Sequence, residues 1–175
     1  MTEAQNDRRI ESLIDRRIRF LISEARLKDS VRVRDQTITY AFRVVTNHFS
    51  RCHYDIKSSL LREKCPYRSK KAYELSKKDP KGWLDKVTNE HQYPIKDAWN
   101  WIIEQSGKLT VQDVKDHLMK WPVVVVTKEE NNELHKYDSA RGDLPIDPNQ
   151  RYHIAGIKVL KRNELGKWLP RRLLN

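Results

Sequence analysis

Cysteine is scarce: of 175 residues only Cys52 and Cys65 are cysteines, and neither belongs to a C-x-x-C pair. That excludes the usual structural zinc site, whose thiolates come in closely spaced pairs, and leaves reduced, buried thiols as the expectation. Long apolar runs are missing too. No stretch reaches the roughly 18 residues that a membrane-spanning helix needs. The opening segment, MTEAQNDRRIESLIDRR, is charged where a secretory signal would be apolar. A cytoplasmic chain without a membrane partner is expected. There is no internal repeat and no low-complexity tract, and the length suits one domain, or one domain with an appendage, with a real core.

Acidic residues are also in short supply. Lys and Arg number 35 against 24 Asp and Glu, for a net charge of +11 and a pI near 9.7. The excess is uneven: residues 1–80 hold 19 basic and 11 acidic side chains, and residues 81–175 hold 16 and 13. Such a surplus concentrates polyanions near the surface and speeds encounter with them, so nucleic acid is the expected partner, DNA ahead of RNA.

Apolar spacing predicts the elements. Ile10, Leu13, Ile14, Ile18, Leu21, Ile22 and Ala25 recur at helical intervals, which predicts an amphipathic helix over 3–28. Its arginine pairs Arg8-Arg9 and Arg16-Arg17 are candidates for tracking phosphates, because planar guanidinium groups suit them. They could equally be the solvated side of a helix long enough to pair with a second copy or another protein. Val31 and Val33 alternate with Arg32 and Arg34 like a strand, but a helix over 35–53 fits the following residues better. A short helix over 58–63 and a lysine-rich helix and loop containing Lys70 and Lys71, bounded by Pro80 and Gly82, complete the basic half. The two lysines join the candidate nucleic-acid contacts.

Beyond residue 80, PIKDAWNWIIEQ reads as a short helix with one or both of Trp99 and Trp101 inward. Thr110 and Asp113 form a capping box for the next helix, to Pro122. VVVV, residues 123–126, reads as a buried strand. Thr127 and Glu130 then form a second capping box, so a helix should start at once. One or two strands are expected around 152–160. The class is α+β, mostly helical, with a small sheet.

Two segments carry candidate chemistry. On the helix after VVVV, Asn131 and His135 lie four residues apart and project from one face, offering oxygen and nitrogen donors to a divalent cation. In TNEHQYP, Glu90 and His91 place a carboxylate beside an imidazole. On a regular strand they would face opposite ways, so both can serve one site only if the chain bends, and Pro94 makes a bend plausible.

Glu90-His91-x-x-Pro94, followed by a strand leading into a helix with Asn131-x-x-x-His135, resembles the HNH, or ββα-metal, nuclease family over roughly residues 83–138. Members commonly carry Asp-His-x-x-Pro at the end of the first strand. Here Glu replaces Asp, about thirty residues separate the two parts, and zinc-knuckle cysteines are absent. The resemblance implies a small ββα-metal-like core within 81–175 and says nothing of the N-terminal half. Charge and apolar spacing make that half a basic helical region (1–80), and the two are expected as two regions or one compact unit. The resemblance implies an endonuclease cutting DNA. His91 would be the general base, Glu90 and His135 ligands of one divalent metal, Mg or Mn, and Asn131 a second helix ligand or the residue orienting the base. Asn132 and Asn89 are fallbacks for that orienting role. The metal would act as a Lewis acid on the scissile phosphate, and a base near neutral pKa suits the attack of water.

The contrasting expectation is a basic helical protein without hydrolytic activity that docks on nucleic acid or a nucleoprotein complex, inhibiting or recruiting it, as a phage- or defence-related protein would. Metal-independent cleavage of RNA is a third, weaker one. His48, His53 and His117 are expected to be structural, and His153 could sit in a strand near the site.

Overall fold

The computed structural model describes residues 3–27, 36–49, 62–142, 144, 146–163 and 166–170. In chain order the elements are α1 (Glu3–Arg26), α2 (Gln36–Phe49), β1 (Tyr67–Ser69), α3 (Lys70–Lys78), a 3-10 turn (Trp83–Lys86), β2 (Val87–His91), α4 (Ile95–Gln105), α5 (Val111–Met119), β3 (Val123–Thr127), α6 (Lys128–Arg141), α7 (Pro148–Ile154), β4 (Val159–Arg162) and β5 (Trp168–Pro170). The chain is α+β and predominantly helical, as expected. The strand-like alternation at 31–34, most of the helix expected over 58–63, Cys52 and His53 lie outside the described residues.

Residues on both sides of position 80 build each layer. α1 buries Ile14, Ile18, Leu21, Ile22 and Ala25 along one stripe, and α2 lays Ile38, Phe42 and Val45 against it. These two helices close around α4 and α5 from the middle of the chain, where Trp99, Ile102, Val114 and Leu118 complete one apolar core. Trp99 meets Phe42 edge-on, ring centroids 6.3 Å apart. α5 starts on the anticipated Thr110–Asp113 capping box.

The sheet is a separate layer, ordered β2-β3-β1-β4-β5, with β1 and β3 parallel and the other pairs antiparallel. Every residue of β3 is buried, which is why its sequence is continuous Val rather than alternating. The period of two sorts side chains between the faces. Val87, Val125 and Arg68 share one face with Cys65, Ala72 and Trp83, beneath α3. Val124 and Val126 share the other with Leu134 of α6 and Tyr152 of α7. Cys65 is a buried free thiol, as expected.

β1 and β3 run side by side, and a helix begins directly at the end of each. Ser69 caps α3 and Thr127 caps α6. Glu130 ties the two starts together: its carboxylate accepts from the Thr127 N–H at 2.9 Å and from the Ser69 hydroxyl at 2.5 Å. Thr127→Ala should therefore cost about 1–2 kcal/mol by urea unfolding, and Thr127→Ser should restore most of it, since only the capping oxygen is needed.

The tail departs from expectation. Tyr152 and His153 lie on α7, not on a strand, because Asp147 accepts from the Asn149 and Gln150 N–H groups and Pro148 occupies the first turn. The strands come later, at 159–162 and 168–170.

Candidate nucleic-acid interface

β2, β3 and α6 do occur as two antiparallel strands followed by a helix. The candidate hydrolytic side chains nevertheless do not converge. Pro94 does not bend β2; it precedes α4, and Glu90 and His91 remain on a regular strand, paired with Val124 and Val123. Their side chains therefore leave by opposite faces.

Glu90 points toward α6 and α7, where it is 7 % exposed. The Arg151 guanidinium sits 2.9 Å from one carboxylate oxygen, and the Tyr152 hydroxyl donates to the other at 2.5 Å. Arg151 also grips Asp138 with two N–H groups, at 2.9 and 2.6 Å, and reaches the His91 carbonyl. Burial pushes the Glu90 carboxyl above its ordinary value, against the pull of Arg151. Burial likewise opposes the charge on Arg151, but the two carboxylates more than offset it and hold the guanidinium above its usual value. Glu90 is thus enclosed, with its two carboxylate oxygens engaged by Arg151 and Tyr152.

His91 leaves by the other face, shares its field with Arg43 of α2 and Arg151, and has a buried Nε2 without a hydrogen-bond partner among the described residues. Desolvation, with a smaller contribution from these arginines, lowers its pKa to about 4. On α6, Leu134 packs against Val124 and Val126 while His135 is exposed and Asn131 half-buried. The sheet therefore stands between His91 and His135. Asn132 is exposed, and the half-buried Asn89 shares the His91 face, its buried Oδ1 without a hydrogen-bond partner among the described residues. Among the described residues no group of three or more His, Cys, Asp or Glu is placed to hold a metal ion, and no helix is long and apolar enough to cross a membrane.

The remaining histidines and tryptophans are mostly committed to packing. His48 lies 3.4 Å from Glu11. Trp99 is the inward tryptophan, whereas Trp101 is half-buried and stacks face to face on His117, 3.7 Å away and 6° from parallel.

The basic surface is better organised than its sequence implies. On α1, Arg8, Arg9, Ser12, Arg16, Arg19, Ser23 and Arg26 are all exposed. At 3.6 residues per turn they fall within an arc of about 100°, and Arg8 to Arg26 extends over about 27 Å. No acidic residue shares that arc. Glu11 and Asp15 turn away instead, toward Lys115 of α5, at 3.0 and 2.7 Å. Among the described residues Arg8, Arg9, Arg16 and Arg19 pair with no carboxylate. Arg26 spends its Nε on the Ser106 carbonyl.

Compared with protein-family models, curated proteins and solved structures, the chain matches none.

Arg17 does not belong to the exposed arc. It is half-buried, with its guanidinium carbon 5.3 Å from the Tyr40 ring centroid and its Nε buried. Arg19 takes its place. The signal that distinguishes them is the helical period: Arg19 lies eleven residues after Arg8, close to three whole turns, while Arg17 lies nine after it, on the opposite side. Lys70 and Lys71 are exposed in the first turn of α3, on the sheet layer and not on the α1 surface.

Proposed function

We propose that the protein binds the nucleic-acid backbone through the arginine face of α1, as a basic docking protein without hydrolytic activity at the TNEHQYP segment. The observation that carries this reading is the acid-free arc of Arg8, Arg9, Arg16, Arg19 and Arg26, whose flanking acids are held aside by Lys115. Short serines at positions 12 and 23 lie between the arginines, so a phosphate chain can approach the helix closely. Guanidinium groups donate in a fixed fork that matches phosphate oxygens. The apolar stripe opposite, locked into the core with α4 and α5, holds this face rigid and outward.

Fluorescence anisotropy with labelled duplex DNA, and with single-stranded RNA of the same sequence, tests it. Four exposed arginines that all reach phosphates give a slope of about −3 to −4 for log K against log salt on duplex DNA. Reversing Arg8, Arg9, Arg16 and Arg19 to Glu should abolish binding at moderate salt while circular dichroism stays unchanged, because the side chains are exposed. Replacing His135 by Ala should leave affinity unaltered. Retention of binding by the four-fold variant would sink the proposal. So would plasmid nicking with magnesium or manganese that His91→Ala removes, since hydrolysis would then reside where the geometry does not support it.

A further inference from the structure

The sheet layer holds a cavity of about 600 Å³, within the size range of small-ligand sites. It lies beside α3 on the edge of the sheet. Its floor is apolar, from Leu160 of β4 and Pro170 of β5, which face each other across the β4–β5 pair. Tyr73 of α3 forms a wall, and its ring is braced by Trp168 at 5.5 Å and by the Lys77 ammonium at 5.6 Å. Trp168 is in turn fixed by Arg68, whose guanidinium lies between it and Trp83, at 4.7 and 4.4 Å. The aromatic wall is therefore built rather than loose.

The rim is charged, and mostly of one sign. Lys70 and Lys158 are brought together by the backbone, the Lys70 N–H donating to the Lys158 carbonyl at 2.7 Å. His153 adds an imidazole. Glu74 is the one carboxylate of the lining, 3.6 Å from the Lys70 ammonium. Lys158 has no acidic partner among the described residues. A ligand that satisfies this lining carries an anionic group for the two ammoniums, an apolar planar body for the Tyr73, Leu160 and Pro170 surface, and N–H donors for the Glu74 carboxylate. A fatty acid lacks the donors. Inorganic phosphate lacks the body.

We propose that this cavity binds a nucleotide, its base against the Tyr73–Leu160–Pro170 surface and its phosphate between Lys70 and Lys158. The same chemistry is presented by a free nucleoside monophosphate and by the 5′-phosphorylated end of a strand. The site is on a different layer from the α1 arginines, so the two stand or fall separately.

Calorimetric titration of the full chain with AMP and UMP tests this, with adenosine and inorganic phosphate as partial ligands. Saturable binding of AMP is expected, with adenosine and phosphate each at least about tenfold weaker. The double variant Lys70→Gln/Lys158→Gln should bring AMP down to the level of adenosine and leave adenosine unchanged, a pattern that unfolding cannot mimic. The four-fold α1 variant should bind AMP like the parent, which separates failure of this site from failure of the α1 interface. Oligonucleotides with 5′-phosphate and 5′-hydroxyl ends distinguish the sources: a preference for the phosphorylated end that the double lysine variant loses assigns the strand terminus, and equal affinities assign the free nucleotide. Absence of saturable heat with either nucleotide at millimolar concentration overturns the site. An unchanged AMP affinity in the double variant does the same, as does binding of dodecanoate that AMP fails to displace.

Discussion

Replacing Arg151 by Met should destabilise the protein by about 3–5 kcal/mol, a large share of the roughly 5–15 kcal/mol that holds a domain together. Arg151 is 1 % exposed and lies between two carboxylates, Glu90 at 2.9 Å and Asp138 at 2.6 Å. Methionine fills most of the volume but leaves Glu90 buried without a counter-charge, and Asp138 loses both of its N–H donors. The cost is the desolvation of the stranded acids more than the loss of the ion pair itself. Two consequences separate this from loss of packing. Adding Glu90→Gln to Arg151→Met should recover part of the loss, a coupling that a double-mutant cycle in urea reads directly. The single variant should also regain stability on acidification. The stranded Glu90 carboxyl, already raised by burial in the parent and now without its guanidinium, binds a proton more readily in the folded state than in the unfolded one, so the folded state gains as pH falls. An Arg151→Met variant with an unchanged urea midpoint would show that the buried network contributes nothing.

The parent protein should lose stability in mild acid, and His91 should account for much of the loss. Its pKa is lowered from 6.5 to about 4, chiefly by desolvation, with Arg43 and Arg151 adding to the effect. Above about pH 6.5 the imidazole is neutral whether the chain is folded or not, so no dependence arises there. Between about 6.5 and 4 the unfolded chain takes up a proton that the folded one refuses, and stability falls as pH falls, by up to about 1.4 kcal/mol per unit and at most about 3.4 kcal/mol in all. His117, also lowered to about 4 by burial and then by Lys120, acts in the same direction. Glu90, with its raised pKa, acts in the opposite one. The difference between parent and His91→Gln therefore isolates the histidine. Urea midpoints taken from about pH 7.5 to 4.5 should converge for the two proteins in acid, and parallel curves would rule the effect out.

His91 thus combines a depressed pKa with a buried nitrogen that has no hydrogen-bond partner among the described residues, features that often mark reactive groups. Its position separates it from the α6 candidates. A general base must reach a water beside the phosphate it serves, and this ring lies across the sheet from the α6 residues with which a metal would have to be shared.

What could be read without coordinates was local. The α1 stripe follows from intervals of three and four residues, and the helix starts at Thr110 and Thr127 follow from side chains that bond to backbone three residues away. β3 was legible because four consecutive valines suit a strand buried on both faces. β1 was not, since three residues carry no period and it exists by pairing with β3 and β4, far along the chain. The helix at 148–154 was legible in principle from Asp147-Pro148, an N-cap followed by a first-turn proline.

Composition alone determined the positive charge, and the amino-acid order determined the amphipathic first helix and the capped helix starts, because these depend on neighbours within one or two turns. Only the tertiary structure decided what the charged residues do. It buried Glu90 against Arg151, sixty-one residues later, and drew Glu11 and Asp15 to Lys115, so that Arg8, Arg9, Arg16 and Arg19 have no carboxylate partner among the described residues. The physical reason is that the energy of a charge depends on its solvation and on partners brought close by folding, and neither is encoded in the residues beside it in the chain.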